Sequence, residues 1–156
     1  MMQFINYFFA SIISFLGLLI GIALARIAPE EQKPLQKYLH IVRKFLILLI
    51  FVFMIFYYIS SRFYLFLLLT FFLFLIFIEI KTKDLWKKLS VNYAVFGILF
   101  FLSSKNINLF VIESSIILLY GLPATSLIYG KKDKDMLKIL SYNIIFIIIA
   151  NLLFFV

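Results

Sequence analysis

Long apolar stretches alternate with short polar connections along the whole chain. No charged side chain occurs in six stretches, residues 1–25, 45–61, 63–78, 89–104, 114–130 and 139–156. A helix of about 20 mostly apolar residues crosses the hydrocarbon core of a bilayer, and about 17 is the lower limit. The pattern therefore predicts six transmembrane helices, at Phe4–Ala25, Phe45–Ser60, Phe63–Ile80, Leu89–Ser104, Leu109–Tyr129 and Leu137–Val156.

The second and fourth predicted spans are the shortest. At 1.5 Å per residue they reach about 24 Å, less than a hydrocarbon core about 30 Å thick. Flanking Lys and Arg side chains can extend to the headgroups and cover this deficit. The alternative is that two segments are re-entrant or interfacial, which would leave four or five spans. Because the spans leave no room for a soluble domain, residues 1–156 are predicted to form a single all-α membrane domain, a bundle of six transmembrane helices.

A short amphipathic helix is predicted between the first two spans. Pro29 and Pro34 suit helix starts. The apolar residues that follow have the spacing of one helical face, and they are Leu35, Tyr38, Leu39 and Val42. We expect this helix to lie on the cytoplasmic surface and to continue into the second span.

The composition excludes most other classes of protein. The chain is 65% hydrophobic and 14% charged and contains 21 Phe among its 156 residues, whereas a soluble domain is nearer half apolar and a quarter charged. Such hydrophobicity is incompatible with a disordered chain or one small soluble core. The sequence has no cysteine, which excludes a disulfide scaffold. A polytopic membrane protein remains.

Lys and Arg residues are distributed unevenly between the connections. The first, third and fifth connections contain five, four and four of them, whereas the second and fourth contain only Arg62 and Lys105. By the positive-inside rule, loops 26–44, 81–88 and 130–138 face the cytoplasm and both termini lie outside the cell membrane. The net charge of +8 comes from these basic loops, and we interpret their Lys and Arg side chains as residues that set the orientation and contact anionic lipid headgroups. Binding of nucleic acid is not expected, because no basic surface with interleaved aromatic residues is present.

Glu113 is the one acidic residue that this pattern places inside the membrane. On a helix it shares a face with Ile117 and Tyr120, beside a stripe that contains Ser114 and Thr125. Carboxyl groups buried in a membrane commonly mark proton relays, ion pathways or substrate contacts. If the helix instead begins near residue 112, the carboxylate lies at the positive end of the helix dipole. The sequence leaves both interpretations open.

Further polar residues extend this candidate site. Asn151 lies at a similar predicted depth, with Ser11 nearby, although an ordinary interhelical hydrogen bond also explains Asn151. Pro123 interrupts the backbone ladder of the fifth span, and broken helices recur at transporter binding sites; a kink used only for packing is the alternative. The candidate polar pathway comprises Glu113, Ser114, Ser115, Tyr120, Pro123, Thr125 and Asn151.

Small residues follow one stripe of the first span, at Gly17, Gly21 and Ala25. This spacing indicates a face for close helix packing, either within the bundle or against a second copy of the chain.

No catalytic motif, cofactor motif or metal-ligand cluster is present, and the single histidine, His40, is expected to be solvated at the interface. We therefore expect no enzymatic activity. Two functional hypotheses remain: a permease-like protein that moves a small solute or ion near Glu113 and Pro123, or a structural or accessory membrane subunit that binds lipid or partner helices without transport of its own.

Overall fold

The computed structural model describes residues 3–129 and 136–155, except for the side chains of residues 29, 31–33 and 129. Helices make up 91% of these residues, and no strand occurs among them. Most of the third predicted basic loop, residues 130–135, lies outside the described ranges, as does Val156 at the end of the sixth predicted span. The helices are α1 (Phe4–Ile27), α2 (Pro29–Tyr58), α3 (Arg62–Lys81), α4 (Leu85–Ser103), α5 (Ile107–Tyr129), α6 (Met136–Asn143) and α7 (Ile145–Phe154).

Six helical segments are long and apolar enough to cross a bilayer. They are Phe4–Ile27, Pro34–Tyr58, Arg62–Lys81, Leu85–Ser103, Ile107–Ile128 and Met136–Phe154. The prediction of an all-α bundle with six helices able to span a membrane is confirmed. The chain is therefore a multi-pass membrane protein.

The second and fourth spans are longer than the charge-free runs from which they were predicted. The second comprises 25 residues and the fourth 19, so neither helix is too short for a bilayer. The prediction ended each span at the nearest charged residue. A helix does not end at a charge, however, because its backbone hydrogen bonds continue regardless of the side chain. The amphipathic segment after the first span accordingly continues without interruption into the second span as α2.

The sixth span consists of two helices with a turn at Ile144 between them. The backbone amide of Ile144 donates to the carbonyl of Leu140, and the amide of Ile148 donates to the carbonyl of Ile144, at 3.0 and 3.1 Å. Because these bonds keep the helical spacing of four residues, α6 and α7 together form one membrane-spanning segment.

Helix α5 occupies the centre of the bundle. It packs most extensively along α1 and also contacts α2 and α4, while α7 packs against α4 and α1. Helix α3 lies at the edge, against α2 and α4, and buries only Leu68 and Leu75. One face of α5 therefore lies within the bundle, whereas most of α3 faces the surroundings.

Candidate functional site

Glu113 lies two turns inside α5 and is completely buried. Helix α5 begins at Ile107, and the Asn106 side chain caps it by accepting hydrogen bonds from the amides of Asn108 and Leu109 at 3.0 and 3.3 Å. The interpretation that placed Glu113 at the start of the helix is therefore wrong. The side chain of Glu113 is 0% exposed, and neither carboxylate oxygen has a hydrogen-bond partner among the described residues.

The neighbours of Glu113 on its own face of α5 are aromatic and aliphatic. Phe110, Ile117 and Tyr120 lie on the same buried face of α5. One turn outward, the ring of Phe110 contacts that of Phe100 with centroids 4.7 Å apart. Two turns inward, the ring of Tyr120 meets that of Phe96 edge to face at 4.8 Å. None of these three neighbours on α5 forms a hydrogen bond with the carboxyl group of Glu113.

The serines next to Glu113 do not join it in a polar site. The hydroxyl groups of Ser114 and Ser115 both donate to the backbone carbonyl of Val111, at 3.0 and 2.8 Å, and Ser115 is exposed on the surface of the bundle. Ser115 therefore does not line an internal pathway. Ser14 of α1 donates to the backbone carbonyl of Ser114 at 3.1 Å, so Ser114 belongs to the contact between α1 and α5.

Asn151 makes an interhelical hydrogen bond. Its side-chain amide donates to the hydroxyl of Ser11 at 3.2 Å and to the backbone carbonyl of Ile147 at 2.8 Å. One turn outward on α1, the hydroxyl of Tyr7 donates to the backbone carbonyl of Ala150 at 2.8 Å. Asn151 and Ser11 thus come together as expected, but in a contact that holds α1 against α7.

Pro123 does not break its helix. Helix α5 continues through it to Tyr129, and Pro123 itself is buried. The hydroxyl of Thr125 bonds to the backbone carbonyls of Gly121 and Leu18, at 2.6 and 3.1 Å. The interpretation of a broken helix at Pro123 is therefore not supported, and the region around Pro123 packs against α1, which agrees with the alternative of a packing role.

The small-residue stripe of α1 packs inside the bundle. A methyl group added to Gly17 would collide with the backbone carbonyl of Leu118, and one added to Gly21 would lie 2.6 Å from the carbonyl oxygen of Leu122. Ala25, one turn further along, is also buried. Of the two alternatives for this stripe, contact within the bundle is the one present, because backbones can approach so closely only where side chains are small.

A second buried site, which the sequence analysis missed, lies at the end of the bundle that carries the basic loops. The guanidinium group of Arg43 on α2, 2% exposed, forms an ion pair with the carboxylate of Glu79 on α3. Lys88 on α4 approaches the same carboxylate at 3.3 Å and donates to the backbone carbonyl of Glu79 at 2.7 Å. We refer to Arg43, Glu79 and Lys88 as the charged cluster. It joins three helices and contains two cations for one anion.

Glu79 is thus a second acidic residue in a helix able to span the membrane, two residues before the end of α3, and the predicted span Phe63–Ile80 already contained it. A signal was available: Arg43, Glu79 and Lys88 each lie beside the end of a charge-free run, and these ends fall on the same side of the bundle.

Polar side chains continue from the charged cluster towards the centre of the bundle. The Asn92 amide, one helical turn inward from Lys88, donates to the hydroxyl of Tyr120 at 2.6 Å, and both residues are buried. Lys88 of the charged cluster lies one helical turn from Asn92 on α4. Among the residues of the candidate polar pathway, Tyr120 is thus the one that connects α5 with Asn92 on α4.

Comparison with known proteins gives no family for this chain: no protein-family model, curated protein or solved structure matches it. Within the described ranges, no group of three or more His, Cys, Asp or Glu side chains is arranged to hold a metal ion.

Proposed function

We propose that this chain is a permease-like membrane protein that carries protons, with Glu113 as the proton-binding group. The observation that carries the proposal is the complete burial of Glu113 without any hydrogen-bond partner within the described part of the chain. A negative charge near the middle of a membrane costs at least about 3 kcal/mol. A carboxyl group that has no protein cation or donor beside it avoids this cost by binding a proton.

The inner polar groups supply the remainder of the proposed path. Glu113 and Tyr120 are seven residues apart on one face of α5, about 10 Å along the helix axis. Asn92 contacts the hydroxyl of Tyr120, and Lys88 of the charged cluster lies one turn from Asn92 on α4. Ile117 is buried between Glu113 and Tyr120. One apolar turn of α5 therefore separates these two polar side chains. In this proposal a proton passes that turn only when the helices around α5 move apart.

The orientation follows the distribution of positive charges. We propose that the protein lies in the cell membrane with both termini outside and with loops 26–44, 81–88 and 130–138 in the cytoplasm. The charged cluster is then at the cytoplasmic end, and Glu113 lies in the outer half of the bundle. No catalytic reaction or cofactor is part of the proposal.

Proton flux through reconstituted protein tests the proposal. Liposomes containing a pH-sensitive dye are given a potassium gradient, and valinomycin is added to set the membrane potential. We expect the wild-type protein to admit protons faster than empty liposomes do, and Glu113→Gln to reduce the rate to that of empty liposomes. Glu30→Gln, which changes an exposed carboxylate at the start of α2, is the matched control and retains the flux. Equal flux in wild-type protein and Glu113→Gln, or no flux in wild-type protein, contradicts the proposal.

Infrared spectroscopy gives a second readout that does not require transport. A protonated carboxyl group absorbs as a separate C=O stretch. We expect this band in the wild-type protein at neutral pH and its loss in Glu113→Gln. Retention of the full band in that variant would show that Glu113 does not bind the proton.

An accessory subunit without transport activity is the second candidate, and the exposure of α3 favours it. Only Leu68 and Leu75 of this helix are buried, whereas Phe63, Phe66 and Phe77 are more than half exposed. A partner helix or a second copy of the chain would replace lipid on this apolar surface. Absence of proton flux together with stable co-purification of a partner through α3 would favour this candidate over the permease.

A further inference from the structure

Two polar side chains on neighbouring helices, Tyr93 on α4 and Asn143 on α6, are buried with polar atoms that lack a partner. Tyr93 is 0% exposed and Asn143 is 1% exposed. Within the described ranges, neither the hydroxyl group of Tyr93 nor the side-chain carbonyl oxygen of Asn143 has a hydrogen-bond partner. Most buried polar atoms in proteins are paired, either with protein groups or with ordered water. Two unpaired atoms on helices that contact each other therefore indicate a ligand that both of them bind.

The contacts between α4 and the sixth span place these two side chains in the same stretch of the interface. The hydroxyl of Ser90, one turn before Tyr93, donates to the backbone carbonyl of Tyr142 at 3.3 Å. The ring of Tyr93 meets that of Phe146 edge to face, with centroids 5.8 Å apart. Asn143 lies between these two contacts along the span, on the buried face that it shares with Phe146. Helical side chains lean towards the start of their helix, and α4 and α6 both start at the end with the basic loops, so the two side chains lean in the same direction.

The Asn143 amide is oriented so that its oxygen remains open to a donor. Its NH₂ group donates to the backbone carbonyl of Ile139 at 2.7 Å, which leaves the oxygen as the unpaired atom. An amide oxygen only accepts hydrogen bonds, whereas a phenolic hydroxyl group also donates one. A molecule that satisfies both groups must therefore accept from Tyr93 and donate to Asn143. Water is the smallest molecule that does both, and buried waters in proteins typically bind polar groups of this kind.

We propose that Tyr93 and Asn143 bind a buried water molecule between α4 and α6. The water oxygen accepts a hydrogen bond from the hydroxyl of Tyr93, and one water hydrogen is donated to the Oδ1 atom of Asn143. The site lies beside the turn at Ile144, where α6 ends and α7 begins. Both side chains are then satisfied at a place where the described residues supply no partner. The water site itself does not depend on proton transport.

The water site lies beside the inner polar groups of the proposed proton path. The ring of Tyr93 contacts that of Tyr120, with centroids 5.9 Å apart, and the hydroxyl of Tyr120 accepts from Asn92. A water molecule held by Tyr93 therefore extends the polar groups from α5 across α4 to the sixth span. We expect Tyr93→Phe to slow the proton flux of the liposome assay, and this consequence alone rests on the proposed function.

Solid-state NMR of the full-length protein in liposomes tests the water site directly. The chain contains six asparagine residues, so isotope-labelled asparagine gives a simple spectrum, and Asn143→Leu identifies the signal of Asn143 by its disappearance. Magnetisation is transferred from water protons to the labelled side chains. We expect it to reach Asn143 as well as Asn108, which is exposed. Tyr93→Phe should lose the transfer to Asn143 and keep the transfer to Asn108, because a buried water needs at least two polar partners.

Unfolding in sodium dodecyl sulfate gives a second measurement, whose sign separates a hydrated site from a dry one. If the Tyr93 hydroxyl were simply unpaired, Tyr93→Phe would remove an unsatisfied buried group and raise the midpoint of unfolding. We expect a lower midpoint instead, because the hydrogen bond to the water is lost. In the Asn143→Leu background the same change should cause no further lowering, since the water is already absent. Tyr57→Phe, at a tyrosine that is 36% exposed on α2, is the matched control and keeps the wild-type midpoint.

Three outcomes overturn the water site. The first is the absence of transfer from water to Asn143 in the wild-type protein. The second is a transfer to Asn143 that is unchanged in Tyr93→Phe, because the two side chains would then not share the water. The third is a higher midpoint of unfolding for Tyr93→Phe. Proton flux reports separately: no flux in the wild-type protein contradicts the proposed function and leaves the water site to the NMR result, whereas undiminished flux in Tyr93→Phe shows that the site is not part of the proton path.

Discussion

Replacing Gly17 by alanine should destabilise the protein, although the same change usually stabilises a helix. In an isolated helix, alanine is favoured over glycine by about 1 kcal/mol. In this structure the added methyl group at Gly17 would overlap the carbonyl oxygen of Leu118 and lie 3.0 Å from its Cα. The obstacle is the backbone of α5, so a change of rotamer cannot relieve it. Helices α1 and α5 must separate instead.

Separating α1 from α5 costs free energy, because hydrogen bonds that cross the interface are lost. Three hydrogen bonds cross this interface: Ser14 to the Ser114 carbonyl at 3.1 Å, Thr125 to the Leu18 carbonyl at 3.1 Å and Ser126 to the Gly21 carbonyl at 3.0 Å. At about 0.6 kcal/mol each within a membrane, they contribute about 2 kcal/mol. Overpacking adds about 1–3 kcal/mol. After the gain of about 1 kcal/mol in helix propensity is subtracted, Gly17→Ala should lower the free energy of unfolding by about 2–4 kcal/mol.

Gly97 provides the matched control. A methyl group added there would lie 3.0 Å from the carbonyl oxygen of Phe146 and 3.1 Å from the Cβ of Ile149. This contact is tight but does not overlap, so the gain in helix propensity and the cost of packing nearly cancel. We expect Gly97→Ala to change the free energy of unfolding by less than about 1 kcal/mol.

The measurement is unfolding of the purified protein in mixed micelles of a mild detergent with increasing sodium dodecyl sulfate, followed by far-ultraviolet circular dichroism. A Gly17→Ala variant as stable as the wild type, or more stable, would refute the close packing of α1 on α5. If Gly17→Ala and Gly97→Ala lowered the stability equally, the argument from overlap with the α5 backbone would also fail.

Two further predictions concern the charged cluster and the orientation. Glu79→Gln removes the anion that Arg43 and Lys88 share. It should lower the free energy of unfolding in the same assay by about 3–5 kcal/mol, because two buried cations are then left without an anion. Glu30→Gln is the control, and equal stability of the two variants would show that the cluster is solvated. Green fluorescent protein fused after Val156 should not fluoresce, because it would be exported in unfolded form. Alkaline phosphatase fused at the same point should be active. Bright fluorescence of the first fusion would reverse the proposed topology.

The number of spans and the fold class could be predicted from the sequence because they depend on the hydropathy averaged over each long run of residues. A charge-free run of sufficient length must satisfy its backbone within one helix, whatever its neighbours do. The ends of the spans could not be predicted in the same way. Arg43 and Lys88 lie inside helices whose predicted spans began after them, because a charged side chain is tolerated within a helix when it reaches a partner on another helix.

The candidate site was predictable only in part, for a related reason. Glu113 is recognisable from its sequence context alone, since it interrupts an apolar run. Whether neighbouring polar residues join it depends on the rotation of each helix about its axis. Ser115 is exposed and Ser114 faces α1, although both are adjacent to Glu113 in sequence. The charged cluster requires three helices to meet, and a single sequence contains no information on which helices are neighbours.

The charged cluster cannot replace a proton at Glu113, and the distance between them explains why. Tyr120 is about 10 Å from Glu113 along α5, and the cluster lies beyond Tyr120. With an effective dielectric constant of about 20, the one excess positive charge of the cluster would stabilise a carboxylate 10 Å away by about 1.7 kcal/mol, and by less at the true separation. That is smaller than the cost of at least about 3 kcal/mol for an anion within the membrane. A positive charge that neutralises Glu113 must therefore arrive at the carboxyl group itself, and this is the property that a proton-carrying residue requires.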